Sequence, residues 1–416
     1  MIRLGTVFTG IGAIEQALKR LGIDHTIVFG CDNGDVELKL LPKADQKRYE
    51  ELKKLAKKGA LGIEESLALE NYQALEAKLT EDIRATVASL PSKDAKREFV
   101  ESTYKKHSSQ QNYVKQSYFA NYAINPKDFH LDIRFFDGSD YNGQVDLLVG
   151  GSPCQSFSTV GKQLGFEDTR GTLFYEFARI VKEVQPKVFI FENVNGLTKN
   201  DDGRTLATIK HIFRDELHYR VGDERVLNAA DYGIPQTRRR MFLIGIREDI
   251  KCDDFLYPDP IERKYTMQDF LEENCAAGSF TYDKKTGELI VGKTKGTPDP
   301  KFILTPGVQK YVLASGTKSF RTSTETDLPI ARTLLKTMTQ HHRAGVDNYI
   351  TVQHDPKVLR ALTDREALRL MGYPDDFKMV VSSTQIYRQA GNSIVVDVMM
   401  AIMKQIVKTG VYSNIL

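Results

Sequence analysis

Cysteine is scarce in this chain of 416 residues, which has four, Cys31, Cys154, Cys252 and Cys275, with no two in a C-x-x-C pair. That spacing argues against a disulfide framework and a cysteine-based zinc site, and it fits a reducing, intracellular, cytoplasmic setting. His341 and His342 are adjacent but have no other spaced ligands, so no metal is expected. An excess of one charge is also missing, since 58 Lys and Arg against 55 Asp and Glu leave a net +3. This falls short of the strongly basic balance of a protein built wholly around nucleic acid, so any such affinity must come from a local patch. A long apolar run is absent near the start. The stretch after Arg3 is interrupted by Glu15 and Gln16 and followed by Lys19 and Arg20, so neither a signal peptide nor a membrane span is expected. There is no internal repeat and no low-complexity tail, and the length suits two or three domains.

What is present reads first as a strand, a glycine turn and a helix. Residues 4–8 form an apolar run into Thr9-Gly10-Ile11-Gly12-Ala13, after which Ile14, Ala17, Leu18 and Leu21 recur at helical spacing. A second strand is expected over 26–30, and Asp32 after it is placed to accept hydrogen bonds from ribose hydroxyls. A full dinucleotide fingerprint would have a third glycine where Glu15 stands, and a carboxylate at that helix N-terminus suits a pyrophosphate poorly. A nucleoside without phosphates, such as S-adenosylmethionine, fits better. Between 37 and 115 the composition shifts to Lys, Glu, Ala and Leu. The spacing of Tyr49, Leu52 and Leu55, then Leu69, Tyr72, Leu75 and Leu79, predicts two or three inserted helices. Lys53, Lys54, Lys57 and Lys58 read as a solvated face. A further strand is expected over 129–133, with Asp132 near its end.

The chemistry is expected near Cys154. The run Asp146-Leu147-Leu148-Val149 stops at Gly150-Gly151, and Ser152-Pro153-Cys154-Gln155 follows. A free cysteine at a strand end is as a rule a small hydrophobe, so its neighbours must decide. A strand over 188–191 delivers Glu192-Asn193-Val194, and in a parallel sheet Cys154 and Glu192 emerge at the same C-terminal edge, where open α/β sheets bind ligands. Before the strand over 241–246, alternation puts Arg238 and Arg240 on one face.

Together these pieces resemble the bacterial-type DNA (cytosine-5) methyltransferase family. The matching segments are Phe8-Thr9-Gly10-Ile11-Gly12, Asp32, Asp132-Ile133, Gly151-Ser152-Pro153-Cys154-Gln155, Asp168-Thr169-Arg170-Gly171-Thr172-Leu173-Phe174, Glu192-Asn193-Val194, Gln236-x-Arg238-x-Arg240, Arg365-Glu366-Ala367 with Met371-Gly372-Tyr373-Pro374, and Gln389-Ala390-Gly391-Asn392-Ser393. The resemblance implies a Rossmann-like, S-adenosylmethionine-dependent α/β sheet with a helical insertion after the second strand and a smaller, irregular target-recognition domain. The catalytic domain would comprise 1–36 and 116–248, the insertion 37–115, the recognition domain 249–375 and a returning segment 376–416. Cys154 would be the nucleophile on C6 of a flipped-out cytosine, Glu192 would serve N3, Arg240 would hold O2, and Arg238 would orient Glu192 and Cys154, with 5-methylcytosine as product.

By the same resemblance the cofactor would meet Phe8, Gly10, Gly12, Asp32, Asp132, Ile133, Pro153, Leu173, Asn392 and Ser393. Ala13 and Asp32 depart from the family's more usual glycine and glutamate. DNA contacts would fall to Gln155, Ser158 and Arg170, and to Thr333, Leu334, Gln340, His341, His342 and Arg343. Residues 155–170 resemble the family's closing loop. Thr363 followed by Glu366 reads as a capping box, and a helix is expected over 392–407. Double-stranded DNA is the expected partner of a monomer that acts on the nucleoid, with a cognate restriction endonuclease as functional counterpart. The rival readings are a tRNA cytosine-5 methyltransferase, whose Cys-Phe-Thr signature is absent, and a catalytically silent DNA-binding protein on the same fold.

Overall fold

The computed structural model describes residues 1–152, 173–317 and 320–413. Five parallel strands form its heart, in the order β3 (Phe129–His130), β2 (His25–Cys31), β1 (Ile2–Val7), β4 (Leu147–Gly151) and β5 (Val188–Val194). Beside β5 the long strand β8 (Arg239–Arg247) runs antiparallel, and β6 (Tyr219–Val221) and β7 (Arg225–Asn228) both pair with its far edge. The central strands read as near-continuous apolar runs because both faces of the sheet are covered. On one face α1 (Ala13–Leu21) and α11 (Val396–Lys408) contribute Ile14, Leu18, Met399 and Met403 to a core with Leu4, Val149 and Ile190. On the other, Phe174 and Phe177 of α6 (Leu173–Val184) meet Phe189, Phe191 and Phe213. Each fully buried Phe contributes roughly 1.5–3 kcal/mol by leaving water.

Between β2 and β3 lie α2 (Lys43–Lys57), α3 (Ile63–Ser89), α4 (Lys93–His107) and α5 (Tyr113–Asn121). Tyr49, Leu52 and Leu69 are buried in a small core between α2 and α3, as their spacing predicts, but Leu75 is 39 % exposed. Further along the 27-residue α3, Leu79, Ile83 and Val87 are covered by a second small core with α4 and Phe135, so Leu75 lies off the packed face. Lys53 pairs with Glu37 and Glu50, consistent with a solvated charged face.

Two expectations need correction. Residues 129–133 are strand only at Phe129–His130, because the Asp132 side chain accepts the Arg134 N–H at 2.9 Å and bends Ile133–Phe135 into a 3-10 turn. The helix expected over 392–407 is α11, which starts later, at Val396; Asn392 instead ends a separate helix, α10 (Ser383–Asn392), with an extended Ser393 between the two. Arg238 accounts for the break, since it takes the carbonyls of Gly391 and Ser393, which a continuous helix would use itself.

Beyond β8 the regular alternation ends. The region holds short hairpins, β9 (Phe280–Tyr282) with β10 (Leu289–Val291), β11 (Gly316–Thr317) with β12 (Phe320–Arg321), and β13 (Tyr349–His354) with β14 (Lys357–Ala361), and between the first two the helix α8 (Pro306–Val312). It closes on α9 (Asp364–Arg369), where Thr363 and Glu366 form the capping box their spacing predicts.

Candidate active site

Immediately after β1 the chain turns through left-handed backbone at Phe8, Gly10 and Gly12, with φ of 52°, 54° and 76°. Glycine takes that conformation without steric cost. A Cβ at Gly12 would also sit 2.3 Å from the ring of Tyr122, whose hydroxyl donates to the carbonyls of Ile11 (3.0 Å) and Gly12 (2.8 Å). Around Gly10, by contrast, a Cβ would find only the Phe8 carbonyl, at 4.0 Å, so the backbone there is open to a ligand. Asp32 braces the turn: its carboxylate accepts the N–H of Gly10 at 2.8 Å and of Gly34 at 2.7 Å. Burial pushes its pKa up to about 6 despite those two bonds.

At the position of the missing third glycine, Glu15 is wholly buried, accepts the Tyr118 hydroxyl at 2.5 Å, and leaves Oε2 without a partner. Burial pushes its pKa up to about 7. A phosphate placed here would meet a second acid in a desolvated site, so the residues fit a nucleoside that carries none. The adjoining cleft is lined by Phe8, Gly10, Gly151, Glu192, Asn392 and Ser393 among others. Residues nearly 400 apart in sequence therefore share one wall. Asn392 reaches Asp35 at 3.4 Å, and the Ser393 hydroxyl pairs with the Tyr373 hydroxyl at 3.0 Å. Leu173 opens α6 and is half-buried. Asp132 and Ile133 are buried on the turn after β3.

Glu192 stands at the C-terminal end of β5, opposite Gly151 of β4. Glycine leaves that carboxyl room, because a Cβ at 151 would lie 2.5 Å from Glu192 Oε2 and push it aside. Across the antiparallel pair Arg240 lies opposite Val194, diagonal to Glu192 on the same face, and its Nε meets Glu192 Oε1 at 3.1 Å. Burial pushes the Glu192 pKa up, while the Arg240 and Arg238 cations oppose the rise. The carboxyl is thus poised to hold a proton more readily than a solvated glutamate would.

The resemblance has Arg238 orienting Glu192, but its side-chain hydrogen bonds go elsewhere. Its guanidinium donates to the carbonyls of Leu334 (3.1 Å), Gly391 (2.8 Å) and Ser393 (2.8 Å), and it acts on Glu192 only through its charge. Burial and the neighbouring Arg240 cation lower its pKa to about 9, so it stays charged at neutral pH.

Two residues that the sequence did not single out complete the frame. Asn193, 1 % exposed, donates Nδ2 to the Ser152 carbonyl at 2.7 Å, tying β5 to the backbone that leads into Cys154. Gln236 donates Nε2 to the Leu370 carbonyl at 2.7 Å and accepts the Leu334 N–H at 3.1 Å, tying the segment before β8 to α9 and to residue 334. Both stand inside motifs already noted, Glu192-Asn193-Val194 and Gln236-x-Arg238-x-Arg240, and that placement was the available signal. Pro153, Cys154, Gln155, Ser158 and Arg170 lie outside the described residues.

Of the expected DNA contacts, Leu334 needs correction: its side chain is 1 % exposed, so it packs into the core and cannot face a duplex. The Thr333 hydroxyl donates to the Thr237 carbonyl. The His342 N–H donates to Asp347 at 2.8 Å, and its carbonyl accepts the Tyr349 hydroxyl at 2.5 Å, so it braces the loop. His341 adopts φ 49°, Gln340 is exposed, and the Arg343 guanidinium lies 5.4 Å from the centre of the Tyr311 ring.

A model of the C-5 cytosine-specific DNA methylase family matches residues 90–408. Similar chains include the Type II methyltransferase M.PspPI of Psychrobacter, 38% identical over 295 residues that span 67% of each protein. Another is the Type II methyltransferase M.HpaII of Haemophilus parainfluenzae, 34% identical over 64% of this chain and 72% of that one. Among solved structures, the S. pombe Dnmt2 methyltransferase aligns over 100% of this chain and 99% of that one, with a TM-score of 0.56 at 15% identity, a likeness of fold. The sheet is that of an S-adenosylmethionine-dependent methyltransferase, and the chain belongs to the C-5 cytosine-specific DNA methylase family.

Proposed function

We propose that the protein methylates C5 of one cytosine in a specific duplex DNA sequence, through a covalent bond between Cys154 and C6 of the flipped-out base. It is a monomer that acts on the nucleoid as the modification enzyme of a restriction-modification system. The carrying observation is that a single cleft is lined both by Phe8, Gly10, Asn392 and Ser393 and by Glu192. Cofactor wall and carboxyl therefore face the same space.

Bound S-adenosylmethionine supplies an electrophilic methyl group on its sulfonium. The chain's own residues make the base able to accept it. C5 of cytosine is a weak carbon nucleophile, and addition of the Cys154 thiolate to C6 loads electron density onto C5. Glu192 gives a proton or a hydrogen bond to N3 as that density builds, and its raised pKa suits it to do so. Arg240, held 3.1 Å from Glu192, presents donors to O2. Loss of the C5 proton and expulsion of the Cys154 thiolate then restore the aromatic ring. A free thiol of pKa about 8.5 is only a few per cent thiolate at neutral pH, so a nearby positive field or proton acceptor is needed to assist it. Extrusion of the base costs a few kcal/mol of stacking and pairing. Residues 249–375 contact the duplex, with Gln340, His341 and Arg343 as base or phosphate contacts.

Cys154→Ser should abolish methyl transfer and keep duplex binding, read by radiolabelled transfer and a gel-shift assay. Methylation by the purified variant at the wild-type rate would overturn the assignment. Transfer to duplex DNA against tRNA separates the tRNA-directed alternative. Bisulfite sequencing of DNA from expressing cells reads the recognised sequence.

A further inference from the structure

The inserted helices make contact with the cofactor half of the protein at named points. Val87, Val100 and Tyr104 of α3 and α4 close over Phe135, on the turn that follows β3. On that turn the Asp132 carboxylate, 4 % exposed, accepts the Tyr104 hydroxyl on Oδ2 at 2.7 Å. Arg134 supplies the rest: Nη2 to Oδ2 at 2.7 Å, its backbone N–H to Oδ1 at 2.9 Å, and Nε 3.1 Å from both oxygens. An ionised carboxylate has about four acceptor positions, so these bonds fix its rotation and, with it, the turn. Tyr104 is the one of these donors that comes from the insertion.

A second route reaches the same turn from the other side. Arg84 of α3 pairs with the buried Glu176 of α6, Glu176 pairs with Arg179 at 3.0 Å, and Arg179 donates to the carbonyls of Ile133 at 2.6 Å and Phe136 at 2.9 Å. At the end of β2, Asn112 donates to the Asp32 carbonyl at 2.7 Å. The insertion and the segment joining it to α5 thus hold two strand-end turns of the cofactor side through side-chain bonds.

We infer that the insertion is a working part of the cofactor site, and that Tyr104 is a positioning residue that sets S-adenosylmethionine affinity by holding the Asp132–Ile133 turn. The inference rests on the reading that this turn borders the cofactor's adenine. Without the hydroxyl, Asp132 keeps Arg134 but loses its hydrogen bond to α4, and the turn gains freedom that binding must then remove.

The test is Tyr104→Phe in the full-length protein, with Tyr49→Phe as control, because the Tyr49 hydroxyl bonds only Glu76 within the insertion, at 2.8 Å. A hydrogen bond to a charged group is worth enough that Tyr104→Phe should raise KM for S-adenosylmethionine and Kd for S-adenosylhomocysteine by roughly threefold to tenfold. kcat at saturating cofactor should stay within about twofold of wild type, while Tyr49→Phe changes neither constant. An unchanged KM in Tyr104→Phe, or equal effects in both variants, overturns the inference. Hydrogen exchange of residues 132–136 in the wild type, with and without S-adenosylhomocysteine, tests the underlying reading by itself. If exchange slows on binding but Tyr104→Phe binds normally, only the role of Tyr104 fails; if exchange is indifferent to binding, the reading fails and the inference with it.

Discussion

Gly151→Ala sets a small steric change against a large chemical one. The new Cβ would lie 2.5 Å from Glu192 Oε2, and ordinary contact begins at 3.4 Å, so the carboxyl must withdraw by about 0.9 Å. It is the far end of a side chain, held by Arg240 but not by the fold's backbone, so the fold should yield cheaply, at about 1 kcal/mol, the low end for an added methyl in a packed site. The chemistry should not yield cheaply. A displacement of about 1 Å in a reacting group costs on the order of a hundredfold in rate, or about 2.7 kcal/mol of barrier. Radiolabelled methyl transfer at saturating DNA and cofactor should therefore show kcat reduced about a hundredfold, with the melting temperature nearly unchanged. Gly150→Ala is the contrast, because its Cβ would strike Val7 at 2.6 Å and the Phe177 ring at 2.8 Å, inside the core. That variant should lose about 1–3 kcal/mol of stability instead. A Gly151→Ala enzyme with kcat within twofold of wild type would show that the Glu192 position does not limit the reaction.

Arg238→Met removes the donor from three carbonyls at once, and at about 1 kcal/mol for each buried acceptor left unpaired it should cost on the order of 3 kcal/mol. Thermal unfolding should show a midpoint several degrees lower together with weaker cofactor binding, since Ser393 lines the cleft. An unchanged midpoint would refute the role. Glu15→Gln tests the buried acid, whose folded pKa of about 7 stands above the ordinary 4.5. A raised folded pKa gives stability that is complete below pH 4.5 and is lost as pH rises through 7. The variant should therefore gain on the wild type by up to about 3 kcal/mol between those limits, measured as urea midpoints across the range. Stability curves that run parallel at all pH values would refute it.

What the sequence makes legible is what local pattern controls. The apolar run ending at Gly150-Gly151 is a central strand because both faces of the sheet are covered, and Thr363 with Glu366 caps α9 because the two side chains need only each other's backbone. The convergence of Glu192 with the glycine turn follows from a general property of parallel sheets, that their C-terminal ends share one edge. The departures come from side chains that reach across the chain. Asp132 bends an expected strand because it can cap its own turn, and Arg238 takes the carbonyls of Gly391 and Ser393, so that the expected helix starts only at Val396. Leu334 sits in a motif that suggests recognition, yet its buried side chain and its bonds to Gln236 and Arg238 serve packing. No periodicity announces a hydrogen bond made across 155 residues.

Arg238 also bears on how a site drawn from distant segments holds together. It lies just before β8, while its acceptors belong to residue 334, in the irregular region beyond β8, and to residues 391 and 393, on the returning segment. A fully buried guanidinium is costly unless its donors are used, so the arrangement is stable only when all three segments are in place. Arg240, two residues on, carries the contact to Glu192 and stands on the same strand. Displacement of the returning segment would leave Arg238 short of acceptors and shift the start of β8, moving Arg240 with it. The pair at Glu192 is thereby coupled to closure of the fold, and the cleft wall at Ser393 is made by the same guanidinium that secures the start of the strand carrying Arg240.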